Sequence, residues 1–124
     1  MRLLLDTHIL LWWLAKSPQL SKSAHADIID AEVIYVSAAS AWEMAIKTAS
    51  GKLQVPDDLE AKVRSHGFLE LPVQIAHATA AAKLQRHHGD PFDRMLIAQA
   101  SLESLTLLTS DAKLAAYGVP VLRA

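Results

Sequence analysis

Short apolar runs alternate with longer mixed stretches along this chain. Leu3-Leu4-Leu5 runs into Asp6, Val33-Ile34-Tyr35-Val36 into Ser37, and Thr106-Leu107-Leu108-Thr109 through Ser110 into Asp111. Apolar runs without in–out alternation predict strands buried on both faces. Weaker strands are predicted over Phe68 to Leu71 and Val119 to Leu122. Helices are predicted between them. The first covers Thr7 to Lys16 and is stopped by Ser17-Pro18; the second runs from Ser21 or Ser23 to about Ala31. Ser37 to Ser50 reads as a helix with apolar residues at 38, 41, 42, 45, 46 and 49, and Gly51 at its end. Further helices are predicted from Pro56-Asp57-Asp58 to near His66-Gly67, and over the alanine-rich Ile75 to His88, closed by Gly89. Another runs from an Asp90 cap with Pro91 in the first turn to about Ser104, and a short one covers Ala112 to Tyr117. Strands alternating with helices predict an α/β fold with a mostly parallel central sheet. No repeat, linker or low-complexity tract interrupts the pattern, so residues 1–124 are expected to form one domain.

Composition narrows the function classes. With 124 residues, 52% of them hydrophobic, the chain buries a core without covalent staples. Twelve Lys plus Arg against 13 Asp plus Glu give a net charge of −1. That balance excludes a disordered chain and a protein held on nucleic acid by bulk positive charge, while leaving a local basic groove open. The absence of cysteine excludes disulfide scaffolds, thiolate metal sites and cysteine nucleophiles. Asp6 and His8 interrupt the N-terminal leucines, and no stretch reaches the ~20 apolar residues of a membrane span. The expectation is a soluble cytoplasmic domain.

The candidate chemistry lies in acids at one edge. Parallel sheets bind ligands at the carboxyl ends of their strands. Asp6 and Asp111 end strands there, Glu43 falls in the first two turns of the helix after Val36, and Asp93 falls in the first turn after Pro91. If the strands carrying Asp6, Val36 and Asp111 are neighbours, the four carboxylates converge. Converging carboxylates repel, and a divalent cation relieves the repulsion. Oxygen ligands without cysteine suit Mg²⁺ or Mn²⁺, in a site that activates water and stabilises charge on a phosphodiester. Each acid also has a local use. Asp6, Asp90, Asp93 and Asp111 suit helix starts, and Glu43 stands four residues before Lys47, as in a helix ion pair.

Four blocks, in order, carry a resemblance. They are Leu3-Leu4-Leu5-Asp6-Thr7-His8 with Leu11 to Leu14; Ser37 to Glu43 with Ala45-Ile46-Lys47 and Gly51-Lys52-Leu53; His88 to Ala100; and Leu107 to Asp111. Over residues 2 to about 122 the chain resembles PIN-domain ribonuclease toxins of the VapC type. The resemblance implies a three-layer α/β/α fold and a metal-dependent endoribonuclease, the toxin of a type II toxin–antitoxin pair. It implies a quartet of Asp6, Glu43, Asp93 and Asp111 binding Mg²⁺ or Mn²⁺, an RNA substrate, a VapB-type antitoxin that blocks the pocket, and a homodimer. Asp6 and Asp93 are expected to hold the main ion. Glu43 and Asp111 either ligate, act through water or hold a second ion. Asp90 is expected to be the helix cap, with a supporting role at the site left open. The rival readings are a structure-specific DNA nuclease and a non-catalytic PIN scaffold that binds RNA or protein.

Several other residues stand near these blocks. His87-His88 beside Asp90 suits a helix end better than metal ligation. His8 either faces the pocket or packs, and Ser40 is placed to bond near Glu43. Thr109 and Ser110 are expected to support Asp111. Arg94 either touches a phosphate or pairs with Asp90. Lys47, Lys52, Arg86 and Lys113 are candidates for a backbone-binding rim. Trp12 and Trp13 point about 100° apart on one helix, so one is expected in the core and the other exposed or at an interface.

Overall fold

The computed structural model describes residues 1–85 and 89–124. Its strands are β1 (Arg2–Leu5), β2 (Val33–Ser37), β3 (Leu69–Leu71), β4 (Thr106–Thr109) and β5 (Val121–Arg123). All pair in parallel, in the order β3-β2-β1-β4-β5. The helices are α1 (Thr7–Leu14), α2 (Lys22–Asp30), α3 (Ala38–Ala49), α4 (Leu59–Ser65), α5 (Ile75–Lys83) and α6 (Pro91–Glu103), with a 3-10 helix over Ala112–Tyr117. The strands carrying Asp6, Val36 and Asp111 are therefore neighbours.

The central strand explains the layers. Leu3 and Leu5 face one way, into a core with Ile9, Leu10, Ile28, Met44, Val63 and Phe68 from α1 to α4 and β3's approach. Leu4 faces the other way, onto Leu96, Ile97 and Ala100 of α6 and onto Leu114. Leu3, Leu4 and Leu5 are completely buried, each contributing about 2 kcal/mol by area. Burial on both faces is why the sequence shows a run rather than an alternation. No helix among the described residues is long and apolar enough to cross a membrane.

Three elements differ from the sequence reading. The first helix stops at Leu14, two residues early, because the chain turns back through Lys16 at φ 52°. The last strand starts two residues late and ends one late, at Val121–Arg123. The alanine-rich helix ends at Lys83 rather than His88, as Leu84 turns to extended backbone and packs at the margin of the α6 core. The expected last residue, His88, falls outside the described residues, and Gly89, expected to close the helix, lies beyond its observed end.

A buried imidazole ties the α5–α6 pair. The Gln74 backbone N–H donates to His77 Nδ1 (3.0 Å), so that nitrogen is an acceptor. Nε2 then carries the proton and donates to Glu103 Oε1 (3.1 Å). His77 is 1% exposed. His77→Ala is expected to lower the urea midpoint by an amount worth about 1–3 kcal/mol, through the lost bonds and the void. An unchanged midpoint would show the tie to be dispensable.

Candidate active site

The edge where β1 and β4 end builds the site from backbone outward. The ladder continues one residue past β1, with Asp6 N–H donating to Leu108 O (3.0 Å). Asp6 then caps α1: its Oδ1 accepts from Thr7 N (2.6 Å), and its carbonyl accepts from Leu10 N (3.0 Å). Oδ2 accepts from the Thr109 hydroxyl (2.6 Å). Thr109 in turn accepts from Asp111 N–H (3.1 Å), so one hydroxyl links the two acids. Asp111 Oδ1 accepts from Lys113 N (2.9 Å), which starts the 3-10 helix.

The second strand delivers Glu43. Ser37 ends β2 and caps α3, its Oγ accepting from Ala39 N (3.0 Å). Ala39, Ser40, Glu43 and Met44 then form the buried stripe of α3. The Thr7 hydroxyl donates to Glu43 Oε1 (2.7 Å) and lies 3.0 Å from Ser40 Oγ. Lys47 Nζ donates to Glu43 Oε2 (2.5 Å). On α6, Asp90 is the N-cap, with Oδ1 accepting from Phe92 N and Asp93 N, and Asp93 sits in the first turn.

These elements enclose a cavity of about 340 Å³ lined by Asp6, His8, Glu43, Lys47, Asp90, Asp93, Ser110 and Asp111. All four acids singled out from the sequence line it, with Asp90 as a fifth. His8 faces the cavity. Among the described residues, its walls set these five carboxylates against one ammonium, Lys47, and one imidazole. Burial, at 7% exposure, pushes the Asp6 carboxyl above its ordinary value, and Glu43 adds to the rise; bonds from Thr109 and Thr7, and the nearby His8, work against it. The Lys47 ammonium is held above its ordinary value by its bond to Glu43 and by the charges of Glu43, Asp90 and Asp93, against its own partial burial.

This architecture has known relatives. The chain matches the PIN domain family over residues 3–120. It is 31% identical to "Ribonuclease VapC22" of Mycobacterium tuberculosis, covering 94% of this chain and 92% of that protein. The chain belongs to the PIN-domain family. Among solved structures, DNA-bound VapBC from Salmonella typhimurium superposes with a TM-score of 0.72 at 14% identity, covering 99% of this chain and 98% of that one. A toxin–antitoxin complex from Klebsiella pneumoniae superposes with a TM-score of 0.66 at 22% identity, covering 96% and 94%.

Donor chemistry in this PIN domain fits a hard divalent cation: the cavity offers carboxylate oxygens, and a buried carboxylate and a captured ammonium both mark a demand for positive charge. Among the described residues no three acids or imidazoles are drawn tightly enough together to hold an ion as they stand. Like-charge repulsion favours such an open arrangement.

Several side residues take different places from those expected. Thr109 supports Asp6 as well as Asp111. Thr7, read from the sequence only as a helix start, is the donor that fixes Glu43. The Arg94 guanidinium donates to Ala81 O (2.9 Å), Leu84 O (2.8 Å) and Gln85 O (3.1 Å), so it serves the end of α5 rather than a phosphate. Trp12 and Trp13 are both half-buried, Trp13 against His25, His66 and Phe68. The exposed tryptophan is Trp42, at 65%. Arg86, His87 and His88 lie outside the described residues.

Proposed function

We propose that this PIN domain is a metal-dependent endoribonuclease, the toxin of a toxin–antitoxin pair. The observation that carries the reading is the meeting of Asp6, Glu43, Asp93 and Asp111 on one cavity at the carboxyl edge of the sheet. A binding scaffold has no need to gather carboxylates that repel one another. The ribonuclease named among its relatives supports the activity, and the toxin–antitoxin complexes among its structural neighbours support the biological setting.

Asp6 and Asp93 would hold Mg²⁺ or Mn²⁺, with Glu43 and Asp111 as further ligands or as partners through water. When bound, the cation supplies charge neutralisation for the phosphodiester and an acidified water. The chain's own task is orientation. Thr109 fixes Asp6 and Asp111, and Thr7 fixes Glu43. The substrate is RNA and the partner is a VapB-type antitoxin. The protein acts as a cytoplasmic homodimer, with Trp42 and Ile46, 65% and 44% exposed on the outer side of α3, as the apolar face a second copy would cover.

The test is cleavage of total RNA, beside matched DNA, with Mg²⁺ or Mn²⁺, with EDTA and with Asp93→Asn. Discrete RNA fragments that vanish with chelator and in the variant are expected. Cleavage of DNA alone would move the reading to the DNA nuclease. Failure to cleave either substrate would move it to the scaffold.

A further inference from the structure

Glu43 has both carboxylate oxygens engaged by the chain itself. Oε1 takes the Thr7 hydroxyl and Oε2 takes Lys47 Nζ. The two differ in kind. Thr7 is buried at 2% exposure and cannot leave without repacking β1 and α1. Lys47 is a third exposed at its side chain and reaches Glu43 along the surface of the same helix, four residues on. Its flexible stem lets the ammonium turn away without moving the backbone. Lys47 also lines the acidic cavity and lies within the fields of Asp90 and Asp93.

We propose that Lys47 is an exchangeable counter-ion, holding Glu43 until a divalent cation enters and then turning to an RNA phosphate oxygen. This rests on the metal-dependent nuclease reading. The ammonium and the cation compete for the same negative charge, so both cannot be held on Glu43 Oε2 at full strength. The released ammonium remains tethered at the cavity wall. There it can meet the substrate, as the one ammonium among the described residues of a wall that also holds five carboxylates and the His8 imidazole. An ordinary helix ion pair predicts something different: it would steady Glu43, and removing it would weaken metal binding and cleavage together.

The test is the affinity of the purified protein for Mn²⁺ alone, read from the electron paramagnetic resonance of free Mn²⁺ at low salt. Wild type is compared with Lys47→Met, Lys47→Gln, Lys47→Arg and Asp6→Asn. Kinetics on a defined RNA substrate follow. Lys47→Met and Lys47→Gln are expected to bind Mn²⁺ at least about threefold more tightly, because a competing positive charge has gone. Their cleavage is expected to fall at least about tenfold, with KM raised by the lost phosphate contact. Lys47→Arg is expected to stay near wild type in both. Unchanged or weaker Mn²⁺ binding in the folded Met and Gln variants overturns the exchange. So does tighter binding with undiminished cleavage. Wild type that binds no Mn²⁺, or Asp6→Asn that binds it equally well, refutes the metal site itself, a separate result.

Discussion

Asp6→Asn will abolish metal-dependent cleavage and raise the melting temperature of the metal-free protein. The loss follows from the place of Asp6 at the floor of the cavity, where a neutral amide cannot balance a divalent charge; cleavage is expected to fall at least about 100-fold. The gain in stability follows from the same burial. The Asp6 carboxyl sits above its ordinary value of 3.8, mainly because burial disfavours its charge. A carboxyl raised in the fold favours folding most when protonated, below its unfolded value. That contribution is lost as pH rises through the raised folded value, so at neutral pH the ionised group opposes folding. Asn removes the charge and keeps an oxygen to accept from Thr7 N–H. A rise of a few degrees is expected, since about 1 kcal/mol shifts a domain of this size by roughly 2–8 °C. The difference should shrink as pH falls and wild-type Asp6 takes up its proton, while wild-type cleavage falls over the same range. Calorimetry from neutral to acid pH, with cleavage assayed alongside, checks both. A variant that melts below wild type at neutral pH would mean that the bonds from Thr7 and Thr109 outweigh the cost of burial. Function and stability would then pull the same way at this position.

Replacing Arg94 with Met is expected to destabilise the fold by about 2–3 kcal/mol and to lower cleavage by about tenfold or more. Its guanidinium satisfies three carbonyls at and beyond the end of α5, where a helix leaves acceptors without intrahelical donors. Arg94 is also one residue from Asp93 and in the first turn that Asp90 caps. Loosening its anchor loosens the segment that sets both acids against β1. The Arg94→Lys variant keeps a charge but has one compact donor head instead of a fork, and should fall between wild type and Arg94→Met. Urea denaturation and RNA cleavage measured on the same preparations check this. A Met variant that unfolds like wild type yet loses RNA affinity would restore the phosphate role that the sequence leaves open.

The features legible in the sequence are those decided locally. Leu3 to Leu5 reads as a strand buried on both faces, and Asp90-Pro91 as a helix start, because neither depends on a distant partner. The acids are legible for the related reason that strand ends and helix starts share one edge in a parallel sheet. What escapes is decided by contacts between elements. Thr7 reads as the first residue of a helix, since its partner Glu43 is 36 residues away. Arg94 reads as a phosphate contact or a partner for Asp90, since the carbonyls it serves belong to a helix that propensity alone extends through them. The alanines of α5 favour helix, but the packing of Leu84 and the reach of Arg94 end it at Lys83. The two adjacent tryptophans stand out for their spacing, whereas exposure falls to Trp42, whose helix face the sequence does not orient against its neighbours.

The bond from Thr109 to Asp6 spans 103 positions of chain. Ribosomes deliver residues in order, at about 5–20 per second, so the first strand waits several seconds for the strand that completes the cavity beside it. Thr109, which bonds Asp6, emerges 103 residues after it, and Asp111, which bonds Thr109, follows. A nascent or prematurely terminated chain therefore holds the first acid without the site. The fold thus delays assembly of its acidic cavity until β4 has followed β1 off the ribosome.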